Sequence, residues 1–93
     1  MELKFSQRFI IKLNVQLEYI AQYRPGVARK FKNELMKAIG SIVKEPHRHR
    51  KSIFFESEDI RDLLFKNHII LYKIDRENNR IVVFSLVYNQ NNP

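Results

Sequence analysis

Two helical repeats abut at Arg24-Pro25-Gly26. In "QRFIIKLNVQLEYIAQY", Phe9, Leu13, Leu17 and Ile20 recur at intervals of 4, 4 and 3. In "PGVARKFKNELMKAIGSIVK", Ala28, Phe31, Leu35, Ile39 and Ile42 recur at 3, 4, 4 and 3. Both spacings place apolar side chains on one face of an α-helix. Pro25 has no N–H with which to continue the first helix, yet its fixed φ suits the first turn of a second. Pro46 closes that second helix. A link this short predicts an antiparallel helical hairpin. Each helix is read with a single apolar stripe, so the hairpin needs another surface to cover.

The rest of the chain supplies that surface. "ELKFS" alternates, with Leu3 and Phe5 on one side, and reads as a first strand. Ser6 is a suitable N-cap for the helix that follows. After the second helix come the basic loop "EPHRHRK", the apolar run "SIFF" and the turn-like acidic cluster "ESED". "IRDLLFK", "HIILYKID" and "RIVVFSLVY" follow, separated by turns at Lys66-Asn67 and "RENN". The last two runs are apolar on both faces, as central strands are. Their links are too short for parallel crossovers, which need about a dozen residues. The expected fold is a single α+β domain over residues 1–93: an N-terminal strand, an antiparallel helix hairpin, then an antiparallel three- to four-stranded meander. The polar ending "NQNNP" reads as a tail.

Hydrophobic residues make up 44% of the chain, enough for a core and too many for a disordered tail. No cysteine is present, which excludes disulfides and thiolate metal sites. No apolar run reaches the roughly 20 residues of a membrane span, and the N-terminus does not read as a signal peptide. A cytoplasmic protein with no membrane partner is expected. The net charge of +7 is uneven. Residues 1–52 hold 12 Lys/Arg against 4 Asp/Glu, and residues 53–93 hold 5 against 6. Such a basic half favours anionic partners, either nucleic acid or an acidic protein.

The order and content of these segments resemble the RelE/ParE family of toxins from bacterial type II toxin–antitoxin modules. "YIAQYRPGVARKFKNEL" resembles the family's helix–Pro–helix junction. "IRDLLFKNHIILYKID" resembles its Arg-x-x-Leu strand and the Tyr-containing strand after it. "FSLVYNQNNP" resembles the final strand and its ending. The resemblance implies a growth inhibitor neutralised by a cognate antitoxin protein. It implies one of two mechanisms: RelE-like cleavage of mRNA on the ribosome, or ParE-like poisoning of DNA gyrase.

RNA cleavage without a metal needs cations to stabilise the phosphorane and groups that move protons. Arg61, Tyr88, His49 and Arg50 are the candidates here. Arg61 can equally be a strand arginine paired with Asp59 or Asp62, and Tyr88 an edge-packing residue. Tyr72 is expected in the core. Lys66 is expected as a solvated turn residue, His68 as a surface or hydrogen-bonded histidine, and Asp59, Asp62 and Asp75 as solvated charges. Ribonuclease members of the family carry a catalytic Arg, Lys or His after the last strand, whereas "YNQNNP" has none. Ile69 and Ile70 occupy positions where RelE has an arginine. Asn and Gln cannot replace a cation or a proton shuttle. The balance favours a ParE-like, gyrase-directed toxin, with the RelE-like endoribonuclease as the alternative and a non-enzymatic nucleic-acid-binding module as a third reading.

Arg48, His49, Arg50 and Lys51 of the loop, with Arg29, Lys30 and Lys37 of the second helix, are the candidate contacts for antitoxin or target. The loop itself reads either as solvated or as a grip on an anionic partner. His47 and His49 lack the companions a metal site needs, so neither a metal nor a cofactor is expected.

Overall fold

The computed structural model describes residues 1–88, and the expected tail Asn89–Pro93 lies outside them. Strand β1 spans Glu2–Phe5, helix α1 Gln7–Tyr23 and helix α2 Pro25–Gly40. A short 3-10 helix, Ser41–Val43, continues α2. Strands β2 (Arg50–Lys51), β3 (Ile60–Phe65), β4 (His68–Asp75) and β5 (Arg80–Tyr88) complete the chain.

The helical hairpin forms where the sequence places it. The Ser6 hydroxyl accepts the Phe9 N–H at 3.1 Å and caps α1. Arg24 alone links the helices. Its N–H donates to the Ile20 carbonyl, and its φ of −147° leaves the helical region. Pro25 then opens α2 at a position where a missing N–H costs nothing. At the other end the Ser41 hydroxyl donates to the Ala38 carbonyl, and the chain tightens into 3-10 geometry before Pro46.

The five strands form one mixed sheet in the order β1-β5-β4-β3-β2. β3, β4 and β5 are the expected antiparallel meander. Lys66 and Asn79, both with positive φ, make its tight turns. β4 and β5 are central, as their two-faced apolar character requires. Two points lay beyond the sequence reading. β1 joins β5 in parallel, through a crossover that spans the hairpin and the meander. The fourth strand of the meander is the end of the basic loop: Arg50 and Lys51 pair with Asp62 and Arg61.

Alternation divides the sheet into two faces. Leu63, Ile70, Tyr72, Ile74, Ile81, Val83 and Leu86 meet Phe9, Leu13, Phe31, Leu35, Ile39 and Ile42 in a single core under the helices. The opposite face also buries Ile69, Leu71, Asp62 and Ser85. The segment after β2 folds back across part of it, with the Phe55 ring edge-on to Phe84 at 5.9 Å. Phe84 is the extra residue of a bulge in β5, since Leu71 pairs with Ser85 and Tyr72 with Val83.

One further correction concerns α1. It carries a second apolar stripe beside the core-facing one. Ile11, Val15, Tyr19 and Tyr23 are 54%, 61%, 61% and 70% exposed. Their spacing of four was legible in the sequence but lay outside the stripe chosen there.

Candidate functional site

The candidate residues separate to two ends of the sheet. At the β2 end, the basic loop is exposed over most of its length and fastened at several points. The Tyr72 hydroxyl, from the floor of the core, donates to the Pro46 carbonyl at 2.5 Å. Burial pushes the Tyr72 phenol up to about 12, so this group stays a donor. Arg61 clamps the next residues. Its guanidinium donates to the carbonyls of His49 at 3.0 Å, His47 at 3.4 Å and Glu58 at 3.0 Å. It also faces the Glu58 carboxylate at 3.7 Å. The expected pairing with Asp59 or Asp62 is therefore wrong. Strand alternation points Arg61 to the helix side and Asp62 to the other, and Asp59 pairs with Arg76 at 3.0 Å.

Asp62 is not a solvated charge. It is 1% exposed. One oxygen accepts from Arg50, 3.2 Å away, and from the Ile53 N–H at 3.1 Å. The other oxygen is buried without a partner among the described residues. Lys51 pairs with Glu58 at 3.1 Å. Asp75 is likewise engaged, by Asn78 and Arg80, which together hold its carboxyl below the usual range. His47 lies on the surface with Nε2 3.3 Å from Arg76. His49 is half-buried with its ring edge-on to Tyr72, and burial, then the Arg48 charge, lowers its pKa. Arg48 is exposed.

At the opposite end of β4 lies Tyr88, the cross-strand partner of His68. Arg61 pairs with Tyr72, roughly 13 Å farther along the same strand at 3.3 Å per residue. Tyr88 is thus not brought to Arg61, His49 or Arg50. It is half-exposed and tilted against His68 at 5.1 Å. His68 corrects its expectation in both respects: it is buried, and neither ring nitrogen has a hydrogen-bond partner among the described residues. It lies against Phe31 and Tyr88, each 5.1 Å away between ring centres, and burial lowers its pKa. Lys66 is more than a solvated turn residue. It pairs with Glu34 at 2.9 Å, over Phe31 and Phe65, and its hydrogen bond lowers the Glu34 pKa.

Arg29, Lys30 and Lys37 are exposed on α2, and among the described residues only Lys30 has a carboxylate within ion-pair distance, Glu34 at 3.9 Å. Among the described residues, no cluster of three or more His, Cys, Asp or Glu is placed to hold a metal ion. Nor is any helix among them long and apolar enough to cross a membrane.

The family model for the ParE toxin of the type II toxin–antitoxin system parDE matches residues 3–92. The chain belongs to the ParE toxin family. It is a type II toxin–antitoxin toxin with an α+β fold shared across RelE and ParE proteins. Among solved structures it is similar to a chain from the chromosomal ParDE toxin–antitoxin system of P. aeruginosa, with a TM-score of 0.77, 12% identity and 95% of each chain covered. It is also similar to isolated E. coli RelE, with a TM-score of 0.62, 14% identity, and 96% of this chain and 84% of that one covered. A chain of the E. coli RelBE toxin–antitoxin complex matches at 0.59 and 13% identity, over 94% of each chain. Comparison with curated protein sequences gives no match.

Proposed function

We propose that this ParE-family chain acts on DNA gyrase and is held in check by a cognate antitoxin protein. One observation carries the choice of target. The cations that a ribonuclease would direct at a phosphorane are committed to the chain itself: Arg61 to three carbonyls and Glu58, Arg50 to buried Asp62. The phenol that could move a proton, Tyr88, ends β5 at the far end of the sheet, opposite His68. Phosphorane stabilisation requires donors preorganised around one point, and these groups do not converge. Gyrase inhibition needs a binding surface and no such convergence.

A supercoiling assay with purified gyrase tests the reading. Inhibition, or DNA breaks trapped on gyrase, is the expected result. Undisturbed gyrase, together with ribosome-phased mRNA ends after induction in cells, would instead assign the RelE-type activity. The antitoxin reading is supported by the family match and by the excess of positive charge in residues 1–52.

A further inference from the structure

The sheet face turned away from the helices carries an apolar surface that the fold leaves open. Ile53, Phe54 and Phe55 follow one another in the segment after β2, and all three are exposed, as is Leu64 of β3 on the same face. The segment is nevertheless fastened at each step. The Ser52 N–H donates to the Ile60 carbonyl at 2.9 Å and the Ile53 N–H to Asp62 at 3.1 Å. The Phe54 N–H donates to the Ser52 hydroxyl and the Asp59 N–H to the Ser57 hydroxyl, each at 3.1 Å. Lys51 and Glu58 pair across the segment. Burying the Asp62 carboxylate is costly unless it is paired, and the bonds that offset the cost fix the point where the segment leaves the sheet. Three apolar side chains are thus held outward on an ordered backbone. Exposed apolar groups clustered in this way mark a contact surface, and a rigid surface loses little entropy on docking.

The charges of this face narrow what can cover it. Strand alternation places Glu2, Lys4, Asp62, Lys73, Asp75 and Arg80 on it. Lys4 pairs with Glu2, Arg80 with Asp75 and Arg50 with Asp62. Among the described residues Lys73 is left without a carboxylate within ion-pair distance, and Glu56, in the segment above, without a cation. A phosphate backbone requires a set of uncompensated cations, and this face, with one leftover charge of each sign, does not offer one. A second copy would bring another net charge of +7 against the first. An acidic antitoxin is matched by the basic residues 1–52 instead. We propose that gyrase docks on this face and takes the Phe54 ring into an apolar pocket, with a gyrase cation beside that pocket meeting Glu56. This rests on the gyrase reading above and deepens it by naming the surface and its anchor. The cation enters a cleft of about 390 Å³ lined by Lys51, Ser52, Phe55, Glu56, Ser57 and Glu58. An enzyme that handles DNA presents cations on its surface, and the unpaired Glu56 is their complement.

The test titrates full-length toxin into a supercoiling reaction of gyrase holoenzyme on relaxed plasmid. Phe54→Ser and Leu64→Ser change exposed side chains, so thermal unfolding of the free toxin should be unaltered. Phe54→Ser should raise the toxin concentration for half-inhibition by about 30-fold or more, as loss of an interface anchor does. Leu64→Ser and Glu56→Lys should each raise it by about tenfold. Tyr19→Ser, which removes an equally exposed aromatic ring from α1, should change it by less than about twofold. A second readout does not depend on the stability of those variants. The chain has no cysteine, so Phe54→Cys gives a single attachment point for a benzophenone maleimide. Irradiation should join that label to gyrase, whereas the same label on Tyr19→Cys should not be joined. If wild-type toxin inhibits gyrase but the Phe54, Leu64 and Glu56 variants inhibit equally well and the label at position 54 stays unjoined, the surface assignment is overturned while the gyrase reading stands. If wild-type toxin leaves gyrase undisturbed, the gyrase reading fails and the surface assignment with it. If the label at position 54 is joined to a second toxin chain or to the plasmid and not to gyrase, the occupant is another copy or nucleic acid and the proposal is wrong.

Discussion

Arg61 and His68 show the same limit from opposite sides. Both are chemistry-bearing residues on strands; sequence alone left Arg61 with a structural and a functional role and expected His68 at the surface or hydrogen-bonded. The deciding fact is the set of atoms within hydrogen-bond reach. Arg61 has a full set, in which its planar fork spans two carbonyls of the basic loop and one of the segment after it. Arg61→Ala strands those carbonyls, and a loss of about 2–4 kcal/mol in a denaturant titration is expected. Arg61→Lys should recover only a part, because a point ammonium cannot reproduce the fork. Toxicity should then fall in step with stability, whereas a catalytic arginine would lose activity in a fully folded protein. His68 has an empty set, and its burial, like that of His49, lowers its pKa from the ordinary 6.5. The sign follows from proton linkage. Below pH 6.5 the unfolded chain takes up protons that the folded rings resist, so unfolding is favoured as pH falls. The contribution is complete above 6.5 and is lost between 6.5 and the lower folded values. Urea midpoints taken from pH 8 to 5 should fall through that window, and His68→Phe should flatten the fall by its own share.

The elements were legible where one periodicity governed and obscure where two competed. The hairpin could be read because Pro25 and two regular stripes agree on it, and β3–β5 could be read because short links permit only antiparallel pairing. The attachment of the basic loop went unread because its restraints come from distant side chains. Nothing in "EPHRHRK" announces that Tyr72 and Arg61 hold Pro46, His47 and His49, or that its last two residues join the sheet. α1 was half-read for a different reason. Ile11, Val15, Tyr19 and Tyr23 repeat every fourth residue, but one helix with two apolar stripes has no single moment to report. The loop's attachment can be measured. Tyr72→Phe keeps the core volume and removes only the bond to the Pro46 carbonyl. A cost of about 1 kcal/mol in global stability is expected. Faster amide exchange should be confined to residues 47–51, since the strands beneath keep their pairing.

At the scale of the molecule, the parallel pairing of β1 with β5 could not be read locally, because it joins the two ends of the described chain and depends on which edge the meander leaves open. That same closure pairs β1 with β5 only as far as Val83. The charge distribution meets this geometry. Residues 1–52 carry 12 Lys/Arg against 4 Asp/Glu and include the whole helical hairpin, while residues 53–93 are nearly balanced. Several of the later cations are already paired: Arg76 with Asp59, Arg80 with Asp75, Lys66 with Glu34. An acidic partner would therefore be drawn to the hairpin side first, where Arg8, Lys12, Arg29 and Lys37 have no carboxylate within ion-pair distance among the described residues. Long-range steering of this kind acts on encounter, and salt screens it over about 10 Å at 0.1 M. Apolar packing and main-chain pairing in the docked state are screened far less. Stopped-flow association of the toxin with its cognate antitoxin should slow by about tenfold or more between 0.05 and 0.5 M NaCl, while the dissociation rate changes by less than about threefold. The opposite pattern, a constant on-rate with dissociation accelerating in salt, would place the decisive charges inside the interface and count against steering by the hairpin's charge.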